Sequence, residues 1–554
     1  MSDQELVFVA LGGLGEIGMN AGLYGLGSGK DRKWLMVDVG ISFAGVDAPG
    51  IDLILPDIRF IEENRRNLAG IVITHAHEDH FGALAELWPR LRAPVYMTRF
   101  AADLLATRRL REPGAPKIPI TVVEQGANVD IGPFNVEFVP VAHSIPESCA
   151  LAITTPPGVV VHTGDWKIDP TPVVGRPTDE ARLAALGDAG VLAMIGDSTN
   201  VLRDGISPSE TDVAATLKTL VAEAKGRVAV TTFASNVARL RAVAEAAVAA
   251  GRDVVLVGRA MDRVVTIARE LGYLDGLPPF RSPDAASRIP RDKVVLLLTG
   301  SQGEARAALA RVASGDHPEV KLVKGDRVIF SSRTIPGNEM AVAKIVNELA
   351  RMDVEIITDR HGLVHVSGHP RRAEVERMYG WVRPRIAVPA HGEAMHLTEH
   401  VAFARAQGVK EVLRAFNGDV VRLAPGAATI VNKVPAGRVY KDGVLLVAAN
   451  EPTIPERRKL SFAGIVSVAV AMDGNGGVVE DPVISASGLP LKSDDGEVMV
   501  DIIADAVDEV LENLPRAKRR SPDAVRVAIE RTVRAAVADE WDKKPLCHVA
   551  VLRV

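Results

Sequence analysis

The sequence is short of most features that would assign it quickly. It holds two cysteines, Cys149 and Cys547, in 554 residues, both in apolar surroundings. Two such thiols cannot build a disulfide framework, which argues against a small secreted scaffold and for a cytoplasmic protein. No run of eighteen apolar residues occurs, so a membrane-spanning helix and a membrane partner are not expected. The opening Met-Ser-Asp-Gln-Glu is acidic and unlike a secretory leader. Internal repeats and low-complexity segments are missing as well. A strong charge of either sign is also lacking, the formal net charge being −5. That value neither requires nor forbids a nucleic-acid partner, because positive charge can be concentrated in a groove or on bound ions.

What is present is an ordinary globular balance, 47% hydrophobic and 24% charged, over a length that needs more than one core. Residues 5 to 165 alternate short apolar segments such as Leu6–Leu11, Trp34–Val39 and Val136–Val141 with Gly-, Pro- and Asp-rich loops. This pattern suggests stacked sheets covered by helices. From about residue 207 the pattern changes. Ser207-Pro208-Ser209-Glu210 reads as a helix start, and strand-like Val228–Thr232, Asp253–Val257, Lys293–Thr299 and Arg327–Ser331 then alternate with helical periodicity. That is the signature of a mostly parallel sheet. Two prolines mark a linker at 451–456, and the last hundred residues read as strand, helix, helix, strand.

Gly13-Leu14-Gly15-Glu16-Ile17-Gly18, with Asp38 twenty residues on, matches a dinucleotide-binding fingerprint on paper. The glycines that follow, Gly22, Gly25 and Gly27, are too many for the helix that the fingerprint requires. Strand, turn, strand is the better reading.

The densest chemistry lies in Thr74-His75-Ala76-His77-Glu78-Asp79-His80, directly after apolar Ile71-Val72-Ile73. Polar groups crowded at the end of a buried strand cost solvation unless a cation organises them. Imidazole and carboxylate together suit borderline divalent ions such as Zn²⁺ or Mn²⁺. His75 with His77 can grip one ion and Asp79 with His80 a second, the arrangement that two-metal ester or phosphodiester hydrolysis uses. Further ligands stand at other strand ends: His143 in V-A-H-S-I, Asp165 in H-T-G-D-W and His391 in P-A-H-G-E. Asp165, with two oxygens, is the natural bridge, and Asp38 would support the site from nearby.

These segments carry a resemblance. The sequence resembles the metallo-β-lactamase superfamily, whose signature is H-x-H-x-D-H, and within it the β-CASP nucleases and the bacterial ribonuclease J family. L-G-G-L-G-E-I-G-M-N, T-H-A-H-E-D-H, F-A-S-N, H-V-S-G-H-P, P-A-H-G-E and A-G-R-V-Y-K-D-G all match its motifs, and the likeness covers essentially the whole chain. It implies an α/β fold: an αββα sandwich from residues 1–206 and 356–450, and an α/β β-CASP domain inserted at 207–355. A small α+β oligomerisation domain would follow at 457–554. It also implies a dinuclear, zinc-type phosphodiesterase, with Mn²⁺ or Mg²⁺ as alternatives in the cell. The activity implied is a 5′-to-3′ exoribonuclease, with endonuclease activity also in the family's range, serving RNA decay and rRNA or mRNA maturation. Its partners would be single-stranded RNA, a homodimer or homotetramer mate, and proteins of an RNA-degradation complex.

The same resemblance places the group's acid and histidine on Asp197 and His369, with Asp79 shared between ligation and catalysis. It associates His391 with RNA rather than DNA substrates. His365, Val366, Ser367, Gly368 and His369 would clamp the scissile phosphate, small residues leaving N–H groups free for it. Phe233, Ala234, Ser235 and Asn236, between a strand and a helix, favour an anion. Ser331, Ser332 and Arg333 end another strand, and the guanidinium can fork two oxygens. Together they resemble the family's pocket for a 5′-monophosphate, with Thr299-Gly300-Ser301-Gln302 a weaker member. Gly50, Asp52 and Asp419 would form a structural calcium site. Arg516-Ala517-Lys518-Arg519-Arg520 reads as a solvated basic run. Rival readings are a small-molecule hydrolase, a DNA-repair nuclease and a catalytically dead RNA-binding scaffold. The large insertion, His391 and the complete ligand set speak against them in turn.

Overall fold

The computed structural model describes residues 4–45, 47–111 and 114–554. They form two compact units, residues 1–43 with 53–439, and residues 44–52 with 440–554.

In the larger unit two sheets face one another. One has eight strands, its centre built from Leu6–Gly12, Ala21–Leu26, Lys33–Val37 and Leu68–Val72. The other has seven, with Phe134–Pro140, Cys149–Thr155, Gly158–His162, Val191–Asp197 and Ile386–Ala390 side by side. Alternating side chains from both, among them Phe8, Tyr24, Leu35, Val72, Phe138, Leu151, Ile195 and Val388, fill the space between them. The opposite face of the second sheet is covered by helices Glu180–Ala189 and Arg372–Val382 through Leu183, Leu186, Val375 and Val382. Helices also cover the outer face of the first sheet, giving helix, sheet, sheet, helix. The glycine-rich segment after Leu6–Gly12 does not open a helix. The chain turns back as Ala21–Leu26, antiparallel to the first strand.

Inserted between Val191–Asp197 and Ile386–Ala390 is a five-stranded sheet in the order 253–257, 294–298, 228–231, 327–330, 355–357, parallel throughout. Its strands are continuous apolar runs, Val294–Leu298 being buried at every position, as expected where helices cover both faces. The helix Glu210–Glu223 begins where the sequence places it. The Ser209 side chain accepts the Thr211 N–H, and Asp212 closes a capping box.

The smaller unit has a three-stranded sheet, Val478–Ser487, Ile465–Met472 and Leu546–Arg553 in that order. Val466, Val468, Val470 and Met472 alternate toward helices Met499–Asn513 and Pro522–Trp541, meeting Ile503, Val507, Ile529 and Val533. Two elements differ from the sequence reading. The strand Val478–Ser487 lies at an edge and is mostly exposed, so its apolar periodicity is weak. A helix, Thr453–Ala463, starts inside the expected 451–456 linker. Its prolines, Pro452 at the cap and Pro455 in the first turn, sit where no N–H is needed.

Candidate metal centre and nucleic-acid interface

Each expected ligand follows a strand of the sandwich. His75 and His77 come just after Leu68–Val72, His143 after Phe134–Pro140, Asp165 after Gly158–His162 and His391 after Ile386–Ala390. Sheet pairing brings these ends together. Val191–Asp197 lies parallel to both Gly158–His162 and Ile386–Ala390, with Asp197 level with Ala390.

The donors converge on one oxygen. Asp165 Oδ2 is 3.2 Å from His80 Nε2, 3.3 Å from His391 Nε2 and 3.8 Å from both His75 Nε2 and His143 Nε2. His77 Nδ1 lies 3.1 Å from His75 Nε2 and 3.0 Å from His143 Nε2. Asp79 Oδ2 stands 3.6 Å from His80 Nε2 and 3.7 Å from His391 Nε2. A tetrahedral ion with ligands at about 2.0–2.1 Å separates its ligand atoms by about 3.3 Å, the scale of these gaps. Two groups able to hold an ion result, His75–His77–His143–Asp165 and Asp79–His80–Asp165–His391, sharing Asp165. The donor set therefore fits a divalent metal. Asp165 Oδ1 and His391 Nδ1 are buried without a hydrogen-bond partner, an arrangement costly for polar groups with no further role.

A surrounding shell fixes the ligands. Asp38, in left-handed conformation at φ 63°, accepts the Thr74 N–H at 2.8 Å and lies 2.7 Å from His80 Nδ1. The Thr74 hydroxyl is 2.9 Å from Asp38 Oδ2 and 3.0 Å from His75 Nδ1. His143 Nδ1 donates to Gly368 O at 2.7 Å. A Cβ at Gly368 would come within 2.6 Å of the His143 ring, so glycine is what lets that backbone touch the ligand. Such partners set imidazole tautomer and orientation.

Asp197 and His369 meet beside the shared carboxylate, His369 Nδ1 being 2.8 Å from Asp197 Oδ2 and 3.8 Å from Asp165 Oδ2. Burial works against a charge on His369, but Asp197 and Asp165 overcome it and raise its pKa to about 9. The two carboxylates thus favour the protonated ring. The His369 side chain is 20% exposed and Asp197 fully buried, so the histidine is the member that a substrate can reach.

The second group of expected residues is also drawn together. Strands 294–298, 228–231 and 327–330 are neighbours, and their carboxyl ends lead to Thr299–Gln302, Phe233–Asn236 and Ser331–Arg333. Asn236 caps helix Val237–Ala249 by accepting the Arg239 N–H. Gln302 Nε2 donates to Arg333 O at 2.8 Å. Arg333 is exposed. Ser331 differs from the expectation of a substrate-facing hydroxyl: it is fully buried and donates to Val364 O at 2.6 Å. Val366 is buried too, whereas Ser367 Oγ accepts from Asn200 Nδ2. Burial, then the charges of Arg239, Arg333 and Lys167, depress the His365 pKa to about 3. Arg239 and Lys167 are paired with Glu210 and Asp169, at 2.8 and 2.9 Å.

Asp419 accepts the Phe416 N–H and pairs with Lys433 at 3.6 Å. Gly50 and Asp52 belong to the smaller unit, and the calcium expectation gains no support. In the basic run, Arg519 Nε donates to Leu514 O.

Three contributors escaped the sequence reading. Glu374 is fully buried and accepts the N–H groups of Ile168, Ser207 and Arg371. His400 joins Ser198 Oγ at 2.8 Å to Tyr379 OH at 2.9 Å, behind Asp197. Arg239 is an arginine in an otherwise apolar helix face, and that mismatch was its one visible signal.

Comparison with known proteins agrees with this architecture. Family models match for the metallo-β-lactamase superfamily (residues 18–258), the ribonuclease J β-CASP domain (225–349), the RNA specificity domain of Zn-dependent metallo-hydrolases (353–413) and the ribonuclease J C-terminal domain (452–554). A ribonuclease J of Sinorhizobium meliloti is 52% identical over 552 residues, covering 100% of this chain and 98% of its own. One from Mycolicibacterium smegmatis is 39% identical, covering 98% and 97%. Among solved structures, a protein of unknown function from Enterococcus faecalis V583 matches with TM-score 0.53 and 17% identity. The match covers 76% of this chain and all of that one, and shows the fold alone.

Proposed function

The chain belongs to the ribonuclease J family, and from that premise we propose that it hydrolyses single-stranded RNA with two divalent ions, stepping 5′ to 3′ from a 5′-monophosphate and retaining endonucleolytic capacity. The observation that carries the reading is the pair of four-residue donor groups sharing Asp165, with the His369–Asp197 couple against them. Zinc is the ion proposed, since five imidazoles and two carboxylates favour it; Mn²⁺ or Mg²⁺ would be the cellular alternatives.

When bound, two ions supply Lewis-acid stabilisation of phosphate charge and lower the pKa of a nearby water. The protein's own groups do the rest. His369, carrying its proton, meets the charge that develops on the phosphoryl oxygens. Asp197 keeps its ring oriented and stabilises the cation, and so manages the proton passed toward the leaving oxygen. The backbone at Gly368 stays close to the phosphate because its carbonyl is tied to His143. Arg333 and the N-terminus of helix Val237–Ala249 would take the 5′-phosphate. Fixed spacing between that pocket and the donor groups makes the cut fall near the end.

RNA decay and 5′ maturation are the work proposed. The cytoplasm is proposed from two buried, unpaired cysteines; among the described residues no helix is long and apolar enough to cross a membrane. A homodimer or homotetramer would form through the smaller unit.

The test is one RNA, labelled in turn at each end, carrying a 5′-monophosphate or a 5′-triphosphate, with a His77→Ala control. The reading expects labelled mononucleotide from the monophosphate RNA, slow release from the triphosphate and none from the variant. Internal fragments in equal yield from both RNAs would retain the hydrolase and reject the end pocket. Intact RNA in the presence of bound metal would reject the nuclease.

A further inference from the structure

The Arg239 guanidinium is fully buried and every one of its donors is used. Nε and Nη2 hold the Glu210 carboxylate, at 3.2 Å and at 2.8 and 3.1 Å. Nη1 points the other way, to Ser331 O at 2.9 Å, Ser331 Oγ at 2.7 Å and Val364 O at 3.1 Å. The same residue's N–H is capped by Asn236 at 2.9 Å, and the Ser331 hydroxyl completes the triangle by donating to Val364 O. The side chain thus joins three segments, the first residue of helix Glu210–Glu223, the end of strand Arg327–Phe330 and the backbone that runs straight into His365–His369, while the residue's own N–H ties them to the F-A-S-N turn. Asp169 extends the tie by accepting the Glu210 N–H at 2.9 Å.

A buried ion pair is a poor device for stability, because desolvation offsets its attraction. It is a good device for geometry. A planar guanidinium with every donor engaged fixes both distance and orientation, which a lysine cannot do. We propose that Arg239 is a positioning residue: it sets the separation between the 233–236/331–333 pocket and the His365–His369 segment, and so governs recognition of the RNA 5′ end. This rests on the end-pocket reading above. Arg239 touches neither the metal ligands nor the exposed Arg333, and the catalytic end of the segment has its own anchors, His369 on Asp197 at 2.8 Å and Gly368 O on His143 at 2.7 Å, so hydrolysis of a substrate without a 5′ end does not depend on it.

The test compares Arg239→Lys and the double variant Glu210→Met/Arg239→Met, which removes both buried charges and so avoids leaving one unpaired. Each is assayed as the full-length, metal-loaded enzyme on 5′-monophosphate RNA, on 5′-hydroxyl RNA and on bis(p-nitrophenyl) phosphate, which has no 5′ end to recognise. A misplacement of about 1 Å can cost about 100-fold, so kcat/KM on the monophosphate RNA should fall toward the value for the hydroxyl RNA. Bis(p-nitrophenyl) phosphate turnover and metal content should stay at the wild-type level, and Arg239→Lys should fall between wild type and the double variant. A proportional fall on all three substrates would reduce Arg239 to a fold element and overturn the inference. So would a double variant that keeps its end preference. A wild-type enzyme without any preference for the monophosphate would overturn the end pocket itself, a different failure from either of these.

Discussion

The two halves of the metal centre share Asp165 and differ in almost everything else. His75, His77 and His143 form an imidazole set whose pKa values burial drives down, His77 to about 3. His80 and His391 are equally buried, yet the carboxylates around them, Asp165 first, reverse the effect and raise both. Asp79 and Asp38 add to this at His80. The first half offers neutral nitrogens and suits a softer ion. The second is richer in oxygen, partly exposed at Asp79, and must release protons before it can bind. One loop of seven residues supplies two ligands to each half, and His143 and His391, from other strand ends, complete them differently.

The largest expected effect removes what the halves have in common. Asp165→Asn should empty both sites in elemental analysis and abolish RNA hydrolysis, because the amide leaves five imidazoles with little compensating charge. Retention of one full equivalent of metal would show that the carboxylate belongs to one half only.

Next come variants and conditions that separate the halves. His143→Ala should lower occupancy of the imidazole set and His391→Ala that of the oxygen-rich set, each leaving roughly one ion. The pH dependence follows from the opposite shifts. A raised pKa means the proton goes on at higher pH as pH falls, so the His80–His391 half should release metal first. The His75–His77–His143 half, with depressed values, should keep its ion to lower pH. Metal content measured across a pH series in His143→Ala and His391→Ala would check the order. Simultaneous loss from both would make the two sites one cooperative unit.

Asp38→Asn sharpens the contrast at one remove. Asp38 touches His80 and not His77, so the variant should cost about 10–100-fold in affinity of the oxygen-rich site or in activity. The other site should be spared.

How much of this was legible beforehand follows the kind of contact. The donor cluster was legible because chemistry confines it: few residues other than His and Asp suit a cation at those strand ends, and T-H-A-H-E-D-H leaves little choice. Asp38 was readable as a support because it closes an apolar strand. The Ser209 cap was visible in four residues. By contrast Arg239, Glu374 and His400 bind partners 92, 167 and 202 residues away in sequence, and no local pattern encodes such pairs. Ser331 looked like a phosphate-facing hydroxyl because a strand end was all the sequence revealed. Its commitment to Val364 depends on a strand crossing that only the fold supplies. The helix at Thr453–Ala463 was hidden by prolines, which read as breakers unless their place in the first turn is known.

The smallest effect expected is at Thr74, whose hydroxyl reaches both halves at once through Asp38 and His75 Nδ1. Thr74→Val keeps the branched shape in a fully buried position and keeps the backbone N–H that Asp38 accepts. It removes one hydroxyl, leaving Asp38 Oδ2 with His80 alone and the His75 Nδ1–H with no acceptor to orient against. A lost buried hydrogen bond of this kind costs about 1 kcal/mol, so activity should fall several-fold rather than vanish. Because the hydroxyl touches both halves, the two ions should weaken together, unlike the result at Asp38. If Thr74→Val weakened only the oxygen-rich site, the hydroxyl would serve Asp38 alone, and the imidazole half would owe its geometry entirely to His143 and Gly368.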